Sequence, residues 1–192
     1  MLKGKNIRLR PFEEMDSLAL NLMRSDTEGM KLLIGNPFPG NEASQKEWIS
    51  HMYGKGVPQN IYLLIEENVT GHAAGYIAAR NIDYVNSHAD VGVYISPDFR
   101  NKAYFREAQI LFYDYLFNQL NLHKLYSIAL PENTVSINSI KKLGFVEEGL
   151  MKEYIYQDGV YKDVQIVSLF RDTFNKLIKY TIFPEKSANT AL

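Results

Sequence analysis

The sequence predicts an α/β (α+β) domain on a mixed, mostly antiparallel central sheet with helices on both faces. Two observations carry that prediction. Short β-patterned segments are joined by tight turns at 68–71, 84–87 and Asp158-Gly159, and hairpins set neighbouring strands antiparallel. Between these hairpins a strand over Ala89–Ile95, a long helix and a strand over Leu125–Leu130 follow in order, a connection that requires one parallel pair.

Each element has a local reason. Asn6–Arg10 alternates apolar and charged residues and stops at Pro11, which predicts a short strand. Asp16 is placed to cap a helix running to about Met23, and Glu42–Met52 predicts a second helix with Trp48, Ile49 and Met52 on one face. The Gly35–Gly40 stretch between them is loop by its Pro and Gly content. Strands follow at Ile61–Glu66, His72–Ile82 and Ala89–Ile95; Gly92 within the last suggests a bulge or a close backbone approach. Phe105–Leu120 is the clearest helix, with Ala108, Leu111, Phe112, Tyr115, Leu116 and Leu120 on one stripe. Asn133 or Thr134 caps a helix to about Leu143, with Gly144 just past its end. Val146–Tyr156 and Val160–Phe170 form the last hairpin, and Phe174–Tyr180 a terminal helix.

The 192 residues suffice for one domain with a sizeable core, predicted over 1–183, with 184–192 a frayed tail. The net charge of −1 lacks the basic footprint of a nucleic-acid binder, so no nucleic-acid partner is expected. There is no Cys, which removes thiol nucleophiles, disulfides and Cys-based zinc sites. His51, His72 and His123 show no metal-ligand spacing, so no metal is expected. No apolar run reaches the roughly 18 residues of a membrane helix, and Met1–Arg10 lacks the apolar core of a secretion signal; no membrane partner and a cytoplasmic location are expected.

Two segments carry candidate chemistry. In Val91–Ala108 a strand ends at Pro97, a polar loop follows and a long helix begins. The first N–H groups of a helix lack intrahelical partners and suit phosphate, and Arg100 and Lys102 add charge beside them. From composition alone, an ordinary strand-helix connection with two solvated cations is the favoured reading, since a lone motif is weak evidence. In Pro131–Phe145, Asn133 and Gly144 are explained by capping alone.

Taken together, the chain resembles the GNAT superfamily of acyl-CoA N-acyltransferases, and within it the branch of ribosomal-protein N-terminal and spermidine/diamine acetyltransferases. The resemblance rests on Ile7–Pro11 (IRLRP), Ile95–Ala108 (ISPDFRNKAYFREA), His123-Lys124-Leu125, and Asn133–Phe145 followed by Glu147-Glu148-Gly149; the Tyr154–Asp163 hairpin shares the branch's look. It implies a sheet splayed after the fourth strand counted from Asn6, with acetyl-CoA in the split. The backbone of Val93, Tyr94 and Ile95 would pair with pantetheine. The segment Arg100, Asn101, Lys102, Ala103, Tyr104 and Phe105 would hold the pyrophosphate, and Asn133 would hydrogen-bond the cosubstrate.

The chain departs from the family in three places. Ala103 replaces a Gly, Phe105 stands where Gly or Ala is usual, and Ile140 replaces the Tyr that often protonates the leaving thiolate. A thiol with pKa about 8.5 needs little acid help; Ser139 is the candidate substitute, with Ser136 beside it. Asp90 is the candidate base for an ammonium substrate, an outward-facing edge position being the alternative, and His88 is a weaker candidate. The expected acceptor is a small-molecule or peptide amine, entering between the first two helices and the last hairpin. Glu13, Glu14, Glu42, Glu47, Glu66 and Glu67 are candidates to face it. The last hairpin is a candidate homodimer surface. A degenerate, non-catalytic sensor or interaction module is the rival expectation.

Overall fold

The computed structural model describes residues 1–34, 39–54, 56–100 and 102–182, with the backbone alone for 180–182. The expected tail, Asn101 and part of the Gly35–Gly40 loop lie outside these residues.

Among the described residues, eight strands form one sheet in the order β1-β2-β3-β4-β5-β6-β8-β7. They are β1 (Leu2–Lys3), β2 (Ile7–Arg10), β3 (Ile61–Glu67), β4 (Ala73–Asp83), β5 (His88–Ile95), β6 (Lys124–Ala129), β7 (Val146–Gln157) and β8 (Val160–Phe170). Only β5 and β6 run parallel; every other neighbour is antiparallel. The helices are α1 (Ser17–Arg24), α2 (Thr27–Leu32), α3 (Glu42–Met52), α4 (Tyr104–Asp114), α5 (Thr134–Lys141) and α6 (Arg171–Ile182). Sequence patterning misses β1, which is two residues long, and α2, whose six residues include Gly29.

The period-two and helical patterns explain the layers. Ile7 and Leu9 of β2 are fully buried, and they join Ile77 and Ala79 of β4, Ala89 and Val91 of β5, and Leu125 of β6 beneath the sheet. Ala108, Phe112 and Leu116 close that core from α4 and the π-helical turn Tyr115–Gln119 that extends it. Phe174 of α6 packs against Phe117 with ring centres 5.3 Å apart. The opposite face carries a smaller core in which Leu20, Met23 and Ile49 from α1 and α3 meet Leu64 and Tyr94. At the last hairpin, Asp158 and Gly159 both take positive φ, 53° and 84°, the backbone a two-residue type I′ turn requires.

Two local expectations change. Asp16 does precede α1, but its carboxylate makes no cap hydrogen bond to that helix. It accepts two hydrogen bonds from Arg10, at 2.7 and 2.9 Å, and one from the Glu13 N–H, because a nearby guanidinium binds it more strongly than a helix amide. Gly92 is not a bulge: it pairs with Ala78 in an unbroken ladder. The irregularity lies further along β4, between Arg80 and Asp83 and opposite His88–Asp90, where Asn81 takes φ 49°. What Gly92 does provide is space, since a Cβ there would meet the Arg80 guanidinium at 3.4 Å.

Candidate active site

The sheet forks between β5 and β6, the fourth and fifth strands counted from Asn6. The two pair only over His88–Lys124, Ala89–Leu125 and Asp90–Tyr126. Beyond that point β5 continues to Ile95 and β6 to Ala129 without pairing to each other. A strand edge freed in this way presents backbone N–H and C=O groups to any extended, amide-bearing partner. Val93, Tyr94 and Ile95 lie on this edge.

The loop after β5 leads to the start of α4. Ala103 sits at the N-cap with no side-chain hydrogen bond to the helix, so the first-turn amides keep their capacity for an anion. Ala103 and Lys102 are exposed, Tyr104 is buried, and Phe105 is half-buried with its ring packed against the principal core. The two loop cations are already engaged. Arg100 pairs with Asp26 at the start of α2, and its Nε donates to the Ile95 carbonyl at 3.1 Å. Lys102 Nζ donates to Glu67 at 2.8 Å, alongside Thr70 at 2.6 Å and the Tyr104 hydroxyl. Lys102 first, then Thr70 and Tyr104, draw the Glu67 carboxyl down to about 2.

Asn133 is the N-cap of α5: its side chain accepts from the Ser136 N–H at 3.2 Å, and its amide donates to the Leu32 carbonyl at 3.4 Å. Ile140 is buried in the principal core. Ser139 is half-buried on α5.

Asp90 stands at the vertex of the fork. It is 8% exposed, so it is neither outward-facing nor on an edge. Alternation puts it on the same sheet face as His88, Gly92 and Tyr94, the face that carries α1 and α3. One carboxylate oxygen, Oδ2, accepts from Arg80 at 2.8 Å, while Oδ1 is buried with no partner among the described residues. Burial pushes the Asp90 carboxyl up, and the charge and hydrogen bond of Arg80 pull against it, with a net rise. Beside the vertex lies a cleft of about 270 Å³ lined by His88, Lys124, Tyr126, Glu148 and Ile166. A second cleft, about 260 Å³, opens between α2 and the β7–β8 hairpin, lined by Arg100, Leu130, Glu132 and Lys162 among others. It borders the last hairpin, but no residue of α1 or α3, the two helices expected to flank the acceptor, lines it, and its acids are Glu28, Glu132 and Asp158. Of the six expected glutamates, Glu66 is buried against Arg8 and Arg10, and Glu67 is held by Lys102.

Arg80 and Asp26 therefore hold positions that sequence patterning did not single out, and Glu67, expected to face the acceptor, is instead held by Lys102 at the loop into α4. Arg80 had a signal: it is the one charged residue in the stretch Ala73–Ile82, and a lone charge in a buried strand has to find a partner.

The chain belongs to the GNAT family of acetyltransferases: the acetyltransferase (GNAT) domain matches residues 6–146. It is similar to the spermidine N(1)-acetyltransferase of Escherichia coli (strain K12), 27% identical over 174 residues that cover 91% of each chain. It is also 30% identical over 101 residues to a putative ribosomal N-acetyltransferase, YdaF, of Bacillus subtilis (strain 168), covering 53% of this chain and 55% of that one. The fold matches the crystal structure of the spermidine N-acetyltransferase of Vibrio cholerae in complex with CoA and spermine, with a TM-score of 0.81 at 22% identity, over 90% of this chain and 99% of that one.

Proposed function

We propose that the protein moves an acetyl group from acetyl-CoA to a primary amine by direct attack. The fork carries this reading, because it supplies a free strand edge, an uncapped helix start and a buried carboxylate in one place. These features fit the cosubstrate: the β5 edge at Val93–Ile95 matches the amides of pantetheine, and the α4 start matches a diphosphate. The loop from Arg100 through Asn101 to Phe105 would hold the pyrophosphate, with Arg100 exchanging Asp26 for phosphate, and Asn133 would add a hydrogen bond. The inward packing of Phe105 supports this, since the ring is directed to the core.

Bound acetyl-CoA supplies a thioester whose C–S bond breaks as the C–N bond to the amine forms. The chain's residues orient the reactants and handle the proton. An alkylammonium with pKa about 10 must lose a proton before it can attack. Asp90 Oδ1, buried and unpartnered, is the acceptor for that proton, which then passes to solvent; a carboxylate raised by burial is a better base than a solvated one. Backbone N–H groups near Val93 polarise the carbonyl. Ser139 is the candidate donor to the departing thiolate, a small contribution because the thiol is already a good leaving group. Holding the two reactants together in the fork accounts for about 7–11 kcal/mol of the barrier. With no Cys in the chain, a thiol-linked acyl-enzyme is unavailable.

The acceptor class is a small amine or a peptide amino terminus, and the relatives' acceptors make spermidine the first to try. The test is calorimetric titration with CoA, followed by thiol-release assays with spermidine and with a peptide bearing a free amino terminus. Micromolar CoA binding with release dependent on an amine supports the reading. Absence of binding heat together with absence of release overturns it in favour of a non-catalytic module.

A further inference from the structure

Arg80 stands beside the vertex of the fork. It faces Asp90 as its cross-strand partner, with Nη2 2.8 Å from Oδ2. Two backbone features put it there. The β4 irregularity begins just past Arg80, and Gly92 leaves the surface of β5 bare, so the guanidinium lies over the strand beside the vertex.

We propose that Arg80 is a positioning residue of acetyl transfer: it anchors one oxygen of Asp90 so that the other stays ionised and turned toward the incoming amine. The proposal rests on Asp90 being the base. A buried carboxylate without a cation prefers to be neutral, and a neutral acid accepts no proton. A carboxylate free to rotate would share its two oxygens between cation and amine. Arg80 removes both difficulties, because a guanidinium stays charged and its planar fork fixes the plane of the group it binds.

Other groups near Asp90 do not replace it. Tyr113 from α4 and Tyr126 from β6 are its electrostatic neighbours on the elements packed against β5. Neither supplies positive charge. In the adjoining cleft, Lys124 is bound to Glu148 through both carboxylate oxygens, at 2.6 and 2.9 Å, and Glu148 also accepts from Ser168 at 2.7 Å. His88 faces Asp83 at 3.8 Å. Arg80 is thus the cation committed to Asp90 among the described residues.

In the step this serves, one ammonium proton moves to Oδ1, the freed nitrogen bonds to the acyl carbon, the C–S bond breaks, and the nitrogen's second proton passes to the departing thiolate while Asp90 returns its own to solvent. Charge and atoms balance with no further reactant.

The experiment follows the Asp90 carboxyl by carbon NMR across a pH titration of the full chain, in the parent and in the Arg80→Met, Arg80→Gln and Arg80→Lys variants. No acceptor is needed for this readout. Arg80→Met and Arg80→Gln are expected to raise the Asp90 titration by about 1–3 pH units, the size of an opposite-charge contact. Arg80→Lys is expected to restore the parent position. Two neutral variants are included because one of them failing to fold leaves the other. In parallel, the acid limb of kcat/KM with acetyl-CoA and spermidine should shift upward in the neutral variants and return in Arg80→Lys, with KM for acetyl-CoA unchanged. An Asp90 titration that does not move, or one that moves while the acid limb stays fixed, overturns the proposal. Full parental turnover in Asp90→Asn would instead remove Asp90 as the base, a failure distinguishable from that of Arg80.

Discussion

Asp26, at the start of α2, holds the guanidinium of Arg100, the residue that opens the loop into α4. The Tyr94 hydroxyl donates to the same carboxylate at 2.9 Å, and the Gly29 N–H donates to its other oxygen at 3.0 Å. Gly29 is what admits the contact, since a Cβ there would stand 2.7 Å from the Arg100 guanidinium. If Arg100 is to serve a diphosphate, Asp26 competes for it. Asp26→Asn, which keeps an oxygen for the Gly29 amide, is expected to tighten CoA binding by about threefold to tenfold at low salt, with the gain shrinking as salt rises. Arg100→Glu is expected to weaken binding about tenfold or more. Calorimetry with CoA measures both, and equal dissociation constants in parent and variants would remove Arg100 from the phosphate site.

A second expectation concerns acid. Arg10 grips Asp16 with two hydrogen bonds and Glu66 with a third at 2.5 Å, and Arg8 completes the cluster. Burial pushes both carboxyls up, but their hydrogen bonds to the guanidinium of Arg10, with Arg8 and the Glu13 amide, leave each below its ordinary value. A carboxyl depressed in the folded state adds stability above its unfolded pKa, and loses it as pH falls through the folded one. The parent should therefore lose melting temperature as pH drops below about 4. Arg10→Met leaves two buried carboxylates short of a cation, which costs about 3–5 kcal/mol near neutrality. Its melting temperature should be flat or rise on acidification between pH 6 and pH 4, and a parent-like acid profile in that variant would refute the assignment.

Glu107 offers a test of how the first strands are fastened to α4. Its carboxylate accepts from the Asn6 N–H and the Asn6 side-chain amide, both at 2.8 Å. Glu107→Ala leaves those donors unpaired and is expected to cost about 1–3 kcal/mol. Glu107→Gln, which keeps an oxygen for the backbone donor, should cost less. Urea midpoints at unchanged m decide the order.

Phe174 tests whether α6 belongs to the core. Its ring is fully buried between Tyr113 and Phe117, with centres 6.4 and 5.3 Å away. Phe174→Ala should destabilise by about 3–5 kcal/mol in urea. A loss below about 1 kcal/mol would mean that the helix only rests on the surface.

What the sequence disclosed follows the strength of its local signals. The Asp158-Gly159 turn could form in few other ways, because both residues need positive φ, and the hairpin around it was legible. The α4 stripe was legible because its apolar residues recur at helical spacing; the boundary at Asp114 was not, since a π-helical turn keeps nearly the same face inward. The six-residue α2 was hidden by Gly29, which weakens a helical pattern, and by its dependence on contacts at both ends: Asp26 to Arg100, Leu32 to Asn133, and Lys31 to Gln157. At the site, Asp90 was visible as an acid on a strand before a phosphate-type loop. Its partner was not, because the pairing of Arg80 with Asp90 is fixed by the β4–β5 register, which an irregularity interrupts just past Arg80.

The parallel seam of β5 and β6 is three rungs long, and it lies at one end of both strands. A joint so short and so far off-centre divides the sheet into two plates that meet at a corner, and α4 lies beneath the plate of β1 to β5. The close-packed side chains of Ala108, Phe112 and Leu116 thus give one jaw of the opening a stiff backing, and rigidity there is a property of residues far from any reacting atom.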